Sequence, residues 1–336
     1  MSSPVRIAVP IGDPNGIGPE IAVKAAAVAV RGGMVEPILV GDDVVIREYL
    51  SRCAIDLPLR RLDEAGSARP GITYVPEHSL PPASFRPGLI DPSAGRATVA
   101  YVRRAVDLVR AGIANAIVAC PHSETAINSA GIAFSGYPGL LADLTGTPRD
   151  AVFMMLVAAG LRICHVTLHE RLREAIDRLS PELILSAGIA LAEALRRLDI
   201  ENPSIGVFGI NPHGGEGGLF GDDDERITKP AVHRLRQLGV QADGPIGADV
   251  LLAQRRHDAY LAMYHDQGHI PIKLISPNRA AAVTIGTDVL FSSVGHGCAF
   301  DIAGQGIASP VSVIEALELL RTAAAGESRG PKDKVP

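Results

Sequence analysis

The stretch AMYHDQGHIPIK, residues 262–273, places His265, Asp266, His269 and Lys273 directly behind an apolar run. Imidazole, carboxylate and ammonium groups can hold a divalent ion, move protons or bind an anionic substrate. Three further histidines sit in the same kind of place. AIVACP runs into His122, RICHVTL into His169 and IGVFGINP into His213, as AYLAMY runs into His265. In an open α/β sheet the carboxyl ends of the strands form one edge, and ligands bind in the crevice beyond it. Histidines far apart in sequence can therefore meet there.

Taken singly, each is a strand-end histidine that bonds a loop carbonyl. Taken together, His169, His213 and His265 read as three neutral imidazoles with an open position, a catalytic zinc-type site. Imidazole also suits other divalent ions, so spacing does not fix the metal. His122 is the weaker candidate, and His269 reads as a supporting or structural group. Asp266 reads as the carboxylate that orients a ligand or accepts a proton. Lys273 reads as a contact to a carboxylate or a proton carrier; considered alone it is a solvated surface lysine.

The elements that must position these groups follow from the hydrophobic pattern. Short β-branched runs at 5–11, 36–41, 116–120, 161–168, 204–210 and 259–264 predict strands. Longer Ala/Leu-rich stretches at 20–31, 94–111, 170–179, 181–198, 229–238 and 311–324 predict helices. Such alternation predicts an α/β fold with mostly parallel sheets and helices on the faces. Hydrophobic residues make up 47% and aromatics only 4%, with no tryptophan, so the core must be aliphatic, as in helix-covered parallel sheets. The segment 64–92, rich in Pro, Gly and Ser, reads as an irregular connection or a weak hairpin, and the tail after Ala325 as frayed. Glycines at 131–139 suggest a hinge between two lobes.

The net charge of −5 comes without a basic block, which argues against a nucleic-acid partner. The longest apolar run, 151–161, is far short of the about 20 residues that span a bilayer. The N-terminus has no export-signal pattern. Cys53, Cys120, Cys164 and Cys298 are scattered, as expected of reduced thiols in a cytoplasmic protein.

Two glycine-rich stretches complete the inventory. IGDPNGIGPE leads from a strand through Gly12, Asp13, Gly16 and Gly18 into a helix opened by Pro19. Helix N-termini attract anions and glycines admit a cofactor, but this spacing is not GxGxxG and equally describes a tight turn. No second-strand acid stands clearly in the register of a ribose-binding carboxylate, although Asp42, after PILVG, comes near it. HGGEGGLFGDDDE, 213–225, reads as a cation-binding or solvated loop, with Glu216 able to supplement His213.

GDPNGIGPE, INPHGGEGG, YHDQGHIPIK and SVGHGCAFDIAGQG resemble, in order and spacing, the 4-hydroxythreonine-4-phosphate dehydrogenases of vitamin B6 synthesis. The resemblance runs from about Ile7 to Leu320. It implies a two-lobed fold like isocitrate and isopropylmalate dehydrogenases, with 1–135 and 300–328 in one lobe, 136–299 in the other, and a cleft between. It implies NAD as oxidant, one divalent metal, zinc being the expected ion, and a homodimer. His169, His213 and His265 fall on the family's metal histidines, the third contributed by the partner subunit, so that the site lies at the interface. Lys273 and Asp249 match positions kept in the family. The phosphate-binding positions do not match: Tyr137 and Pro138 replace His-Thr, Ala282 an asparagine, Phe291 an arginine, and Ser123-Glu124 a His-Lys pair.

Losing the arginine removes a bidentate phosphate clamp, and the phenylalanine would offer a flat apolar surface for a carbocycle. ACPHSETAINSAGIAFSGYPGLLA, MMLVAAGLRICHVTLHE and GPIGADVLLAQRRHDAYLAMYHDQGHIPIKL resemble a branch of that family, the terephthalate dihydrodiol dehydrogenases. That branch implies a dicarboxylate substrate, decarboxylated as it is oxidised to protocatechuate. On this reading Lys273, Asp249 and Asp266 serve the chemistry, His122 and Tyr137 contact substrate, and Gly12, Asp13, Gly16, Gly18 and Gly295 shape the cofactor site. Two other readings stay open. One is the vitamin B6 enzyme itself. The other, open to three histidines alone, is a metal-dependent hydrolase without a nucleotide.

Overall fold

The computed structural model describes residues 4–64, 71–277 and 279–327. Its strands are β1 (Arg6–Pro10), β2 (Glu36–Asp42), β3 (Leu59–Arg61), β4 (Ile72–Glu77), β5 (Ala116–Ala119), β6 (Phe153–Ala158), β7 (Leu161–His165), β8 (Ser204–Phe208), β9 (Gln241–Ile246), β10 (Ala259–Ala262), β11 (Ala281–Ile285) and β12 (Phe291–Val294). The chain divides into two compact units, parting after Ser135 and returning after Asp288.

In the first unit the strand order is β3-β4-β2-β1-β5-β12, and every pairing is parallel. β1, β2 and β5 are almost wholly buried, which is why they read as continuous apolar runs rather than alternating ones. In the second unit the order is β11-β6-β7-β10-β8-β9. β6 pairs antiparallel with β7 and β11, and the remaining pairings are parallel. β6 and β7 form a hairpin through Ala159 and Gly160, both at positive φ, the geometry that two-residue hairpin turns require. The fold is therefore α/β with mostly parallel strands, as the alternation predicts.

The six expected helices are present. Helix Pro181–Arg197 begins where the pattern predicts, and helix Pro92–Arg110 begins two residues earlier than expected. Asp91 accepts a hydrogen bond from Ser93 N at 2.7 Å ahead of helix Pro92–Arg110, and Ser180 Oγ accepts from Leu183 N at 3.1 Å ahead of helix Pro181–Arg197. Cys120, Cys164 and Cys298 are buried, and burial pushes each thiol well above its ordinary pKa. They pack as small apolar groups.

Three expectations need correction. The segment 64–92 holds β4, which pairs in parallel with β2 and β3 and so is not a hairpin. Residues 65–70 of that segment, and the tail beyond Glu327, lie outside the described residues. The return to the first unit comes at Val289 rather than 300, because β12 pairs in parallel with β5. Finally, the six expected helical stretches leave out one that bears on the site: His265–Ile275 is a helix with Pro271 inside it. Glycine and proline argue against a helix interior, and tertiary packing overrides them here. No helix among the described residues is long and apolar enough to cross a membrane.

Candidate active site

Helix His265–Ile275 starts two residues after β10, and its first turn is pinned to the ends of two strands. Gln267 Oε1 accepts from Met263 N at 2.8 Å, and Gln267 Nε2 donates to Gly209 O, just past β8, at 2.9 Å. Thr167 Oγ1, just past β7, donates to Met263 O at 2.8 Å. The helix places His265, His269 and Lys273 at successive intervals of four, on one face.

His265 Nδ1 lies 2.7 Å from Asp266 Oδ1. A carboxylate can only accept, so Nδ1 carries the proton and Nε2 presents a lone pair. The ring of His169 stands beside it, with centroids 5.5 Å apart. Gly136 packs against His169: a Cβ there would fall 3.4 Å from His169 Nδ1. A cavity of about 580 Å³ opens at this point, with His169, Glu170, Arg171, Tyr264, His265 and Asp266 in its wall. Lys273 is half-buried, and burial pushes its ammonium below the ordinary pKa.

Behind this pair is a histidine that sequence reasoning passed over. His165, the last residue of β7, is fully buried. Its Nε2 lies 3.1 Å from His269 Nδ1, and its Nδ1 lies 3.2 Å from Met154 O. Burial, reinforced by His269, depresses its pKa to about 3; burial and His265 depress that of His269 to about 4. Both are neutral at physiological pH. In HVTLH the first histidine ends the buried strand and the second stands beyond it, so only the second has the position of a ligand at a strand's open end.

His213 belongs to a different part of the same unit. It follows β8, whose end is held by the buried Asp224 through hydrogen bonds from Ile210 N at 2.8 Å and Asn211 N at 2.9 Å. His213, Gly214, Gly215, Glu216 and Gly217 then all have positive φ, a full left-handed turn. His213 lies against Gly247: a Cβ on Gly247 would fall 3.9 Å from His213 Cα and 2.7 Å from Asp249 Oδ1. Asp249 and His213 thus flank one point and are both exposed. Among the described residues no three His, Cys, Asp or Glu side chains are grouped to hold a metal. One chain brings His169 and His265 together, and the backbone of His213 lies by Gly247 and Asp249. The donor chemistry of His169 and His265 fits a divalent ion.

In the first unit the glycine turn has a structural explanation. A Cβ on Gly12 would fall 2.2 Å from Pro121 O, one on Gly18 2.3 Å from Ile11 O, and one on Gly16 2.8 Å from Cys298 Cβ. The space that these glycines leave is filled by protein, so they are required by packing whatever else the turn does. Gly295 is half-buried, just past β12. Asp42 is spent on structure: Tyr101 donates to it at 2.6 Å and Leu80 N at 3.2 Å. His122 is half-buried and meets Phe134 edge to face, with centroids 4.8 Å apart. Tyr137 and Phe291 are buried, at 4% and 0% exposure. The flat apolar surface expected of Phe291 is therefore not presented; its ring is part of the sheet's core, in register with Ile117. Ala282 likewise packs in the core cluster of the second unit.

Asp13 is fully buried, and its Oδ1 accepts from Asn15 N at 2.9 Å, while its Oδ2 has no hydrogen-bond partner among the described residues. Burial raises its pKa from 3.8 to about 6, opposed by the Asn15 hydrogen bond and assisted by Asp91. A carboxyl raised in the fold binds its proton more tightly than the unfolded chain does. Its contribution to stability is therefore fully present below pH 4 and lost as pH rises to about 6. Asp13→Asn keeps the acceptor and removes the ionisation. It is expected to stabilise the protein at pH 7.5 by up to about 3 kcal/mol and to leave stability at pH 4 nearly unchanged. Urea denaturation at the two pH values measures this; equal effects at both would show that Asp13 ionises freely.

A family model described as pyridoxal phosphate biosynthetic protein PdxA matches residues 33–320. The chain belongs to the PdxA family. It is 48% identical over 317 residues to a 1,2-dihydroxy-3,5-cyclohexadiene-1,4-dicarboxylate dehydrogenase of Comamonas sp, covering 94% of this chain and 96% of that one. A crystal structure of a terephthalate 1,2-cis-dihydrodiol dehydrogenase from Burkholderia xenovorans LB400 is 48% identical, with a TM-score of 0.71, over 95% of this chain and 98% of that one. A 4-hydroxythreonine-4-phosphate dehydrogenase structure from Klebsiella pneumoniae is 36% identical, with a TM-score of 0.85, over 96% of this chain and 100% of that one. As a member of this family the chain is an enzyme of the dehydrogenase class.

Proposed function

We propose that this enzyme oxidises terephthalate cis-dihydrodiol with NAD, in the presence of a divalent metal, and releases CO₂ to give protocatechuate. The observation that carries this reading is the 48% identity, across nearly the whole chain, to a dehydrogenase of that dicarboxylate. The apolar residues at 282 and 291, both in the core, support it by leaving those positions without a polar group for phosphate.

The substrate has a secondary alcohol on the ring carbon next to the one that carries a carboxylate. Loss of hydride from that carbon to NAD, and of the hydroxyl proton to a base, leaves a ketone β to the carboxylate. The C–C bond to the carboxylate then breaks, CO₂ departs, and its electron pair restores an aromatic ring. A bound divalent ion supplies positive charge at the reacting oxygen, and NAD supplies the hydride acceptor.

The chain's own residues do the rest. His169 and His265 lie together within one chain and would hold the ion, so the histidine from a second copy would be His213 in place of the His265 that the resemblance assigns to the partner. Asp266 keeps the proton on His265 Nδ1, so that Nε2 is always the free donor. Lys273 pairs with a substrate carboxylate or carries a proton. Arg171, in the wall of the same cavity and 3.5 Å from Glu174, would bind the other carboxylate. Asp249, near the His213 backbone, would accept the proton. Ile270 and Leu274, 54% and 78% exposed on the helix that carries His265, suit an interface with that second copy.

The test is NAD reduction followed by absorbance, with the dihydrodiol and 4-phosphohydroxythreonine offered separately, with and without a chelator. Turnover of the dihydrodiol alone, abolished by chelator and restored by zinc, is expected. Turnover of the phosphorylated substrate would overturn the reading. Metal-dependent activity that ignores NAD would place the protein in the hydrolase class.

A further inference from the structure

The cluster behind the cavity forms one connected chain of contacts. Met154 O can only accept, so His165 Nδ1 donates to it, and His165 Nε2 is left as an acceptor. His269 Nδ1 therefore donates to His165 Nε2, at 3.1 Å, with the carbonyl of His265 a second acceptor at 3.3 Å. The ring of His269 is thereby fixed in plane and tautomer. The ring of His265 lies flat on it, with centroids 3.6 Å apart and planes 13° from parallel. Gly268 makes this possible: a Cβ there would fall 2.2 Å from His165 Nε2. His165 is thus a buried floor on which the first turn of the helix rests, and it also touches that turn's histidines.

We propose that His165 and His269 are positioning residues for His265. His165 locks His269, and His269 holds the ring plane of His265 while Asp266 sets its tautomer. Without the stack, the His265 ring, with 35% of its side chain exposed, is free to turn about the bond that Asp266 leaves unrestrained. The cluster reaches from the sheet interior to the cavity, so it transmits the rigidity of β7 to a side chain near the surface. This inference rests on the reading of His265 as a metal ligand.

The experiment measures metal rather than turnover. Co²⁺ affinity is determined by competition with a chromophoric chelator, and the visible spectrum of the bound ion is recorded. Removal of groups that orient a metal ligand costs about 10- to 100-fold in affinity. His165→Leu is expected to weaken Co²⁺ binding by about tenfold or more and to alter the spectrum. Its melting temperature in excess chelator should fall, because Met154 O and His269 Nδ1 lose a buried partner, so the His269→Ala and His165→Gln results separate positioning from stability. His165→Gln, which can offer an acceptor to His269, should recover most of the affinity. His269→Ala, at a half-buried position, should lose as much affinity as His165→Leu, and it decides the matter if the buried substitution does not fold. Wild-type affinity and spectrum in either the leucine or the alanine variant would overturn the proposal while leaving the metal site intact. Absence of Co²⁺ binding by the wild-type protein would overturn the ligand reading itself, and this inference with it.

Discussion

Replacing His213 with glycine is expected to lower kcat/KM by more than about 100-fold, the upper range for losing a group that merely supports a metal ligand. The same change should leave the metal-free protein as stable as the wild type, or up to about 1 kcal/mol more stable. The two halves have different causes. His213 has φ 56° and ψ 23°, inside a left-handed turn in which the other non-glycine is Glu216 at φ 44°. A Cβ in that conformation crowds the following carbonyl, at about 1–2 kcal/mol per residue, and glycine relieves it. Strain of this kind persists where the surrounding structure enforces it and tends to gather at functional sites. Here the buried Asp224 enforces it, by holding the two backbone N–H groups that lead into the turn. His213→Ala is the control, since it removes the imidazole and keeps the Cβ. Alanine and glycine variants should be equally inactive, and the glycine variant the more stable by denaturation in chelator. A folded glycine variant with full activity would remove His213 from the site. A glycine variant less stable than the alanine variant would mean that the turn is not strained.

The same turn shows what the sequence could and could not yield. INPHGGEGG advertised a special backbone, because so many glycines serve no helix or strand. It could not reveal that His213 itself takes a left-handed conformation, or that its backbone comes to lie beside Gly247. Strand ends were legible because β1, β5, β7, β8 and β10 are short buried runs with few alternatives. β4 was not, because ITYVPE is flanked by Pro and Gly, and its pairing partners lie elsewhere in the chain. The helix at His265 was hidden by Gly268 and Pro271, whose local preference loses to packing on His165. The interval of four between His265 and His269 was the available signal for that helix. Glycines pose the converse difficulty. Those at 12, 16 and 18 look like a cofactor turn, yet contacts with Pro121, Cys298 and Ile11 alone demand them. A sequence cannot separate a glycine that admits a ligand from one that admits another part of the chain.

Lys24→Met is expected to destabilise the protein by about 3–5 kcal/mol, the range for removing one partner of a buried ion pair. Helix Gly18–Gly32 carries Glu20, fully buried, and Lys24 one turn later, with Nζ to Oε1 at 2.7 Å. On a surface such a pair is worth about 0.3–0.5 kcal/mol. This one does more, because both members also bind Gly306, the last residue of the SVGHGCAFDIAGQG motif, and Ala308 just beyond it. Lys24 Nζ donates to Gly306 O at 2.9 Å and Ala308 O at 2.8 Å. Glu20 accepts from Gly306 N at 3.1 Å and Ala308 N at 2.7 Å. Four backbone groups distant in sequence are satisfied by one pair of side chains. Methionine fills much of the volume of lysine but strands two carbonyls and leaves a buried carboxylate without its counterion. Glu20→Gln combined with Lys24→Met should cost less than Lys24→Met alone, since the double variant buries no charge; a double-mutant cycle in urea measures the coupling. If the segment 293–306 shapes the cofactor site, the single variant should also raise KM for NAD several-fold, with kcat little changed. A loss of stability under 1 kcal/mol would reduce the pair to an ordinary helix-surface contact and separate the order of this segment from it.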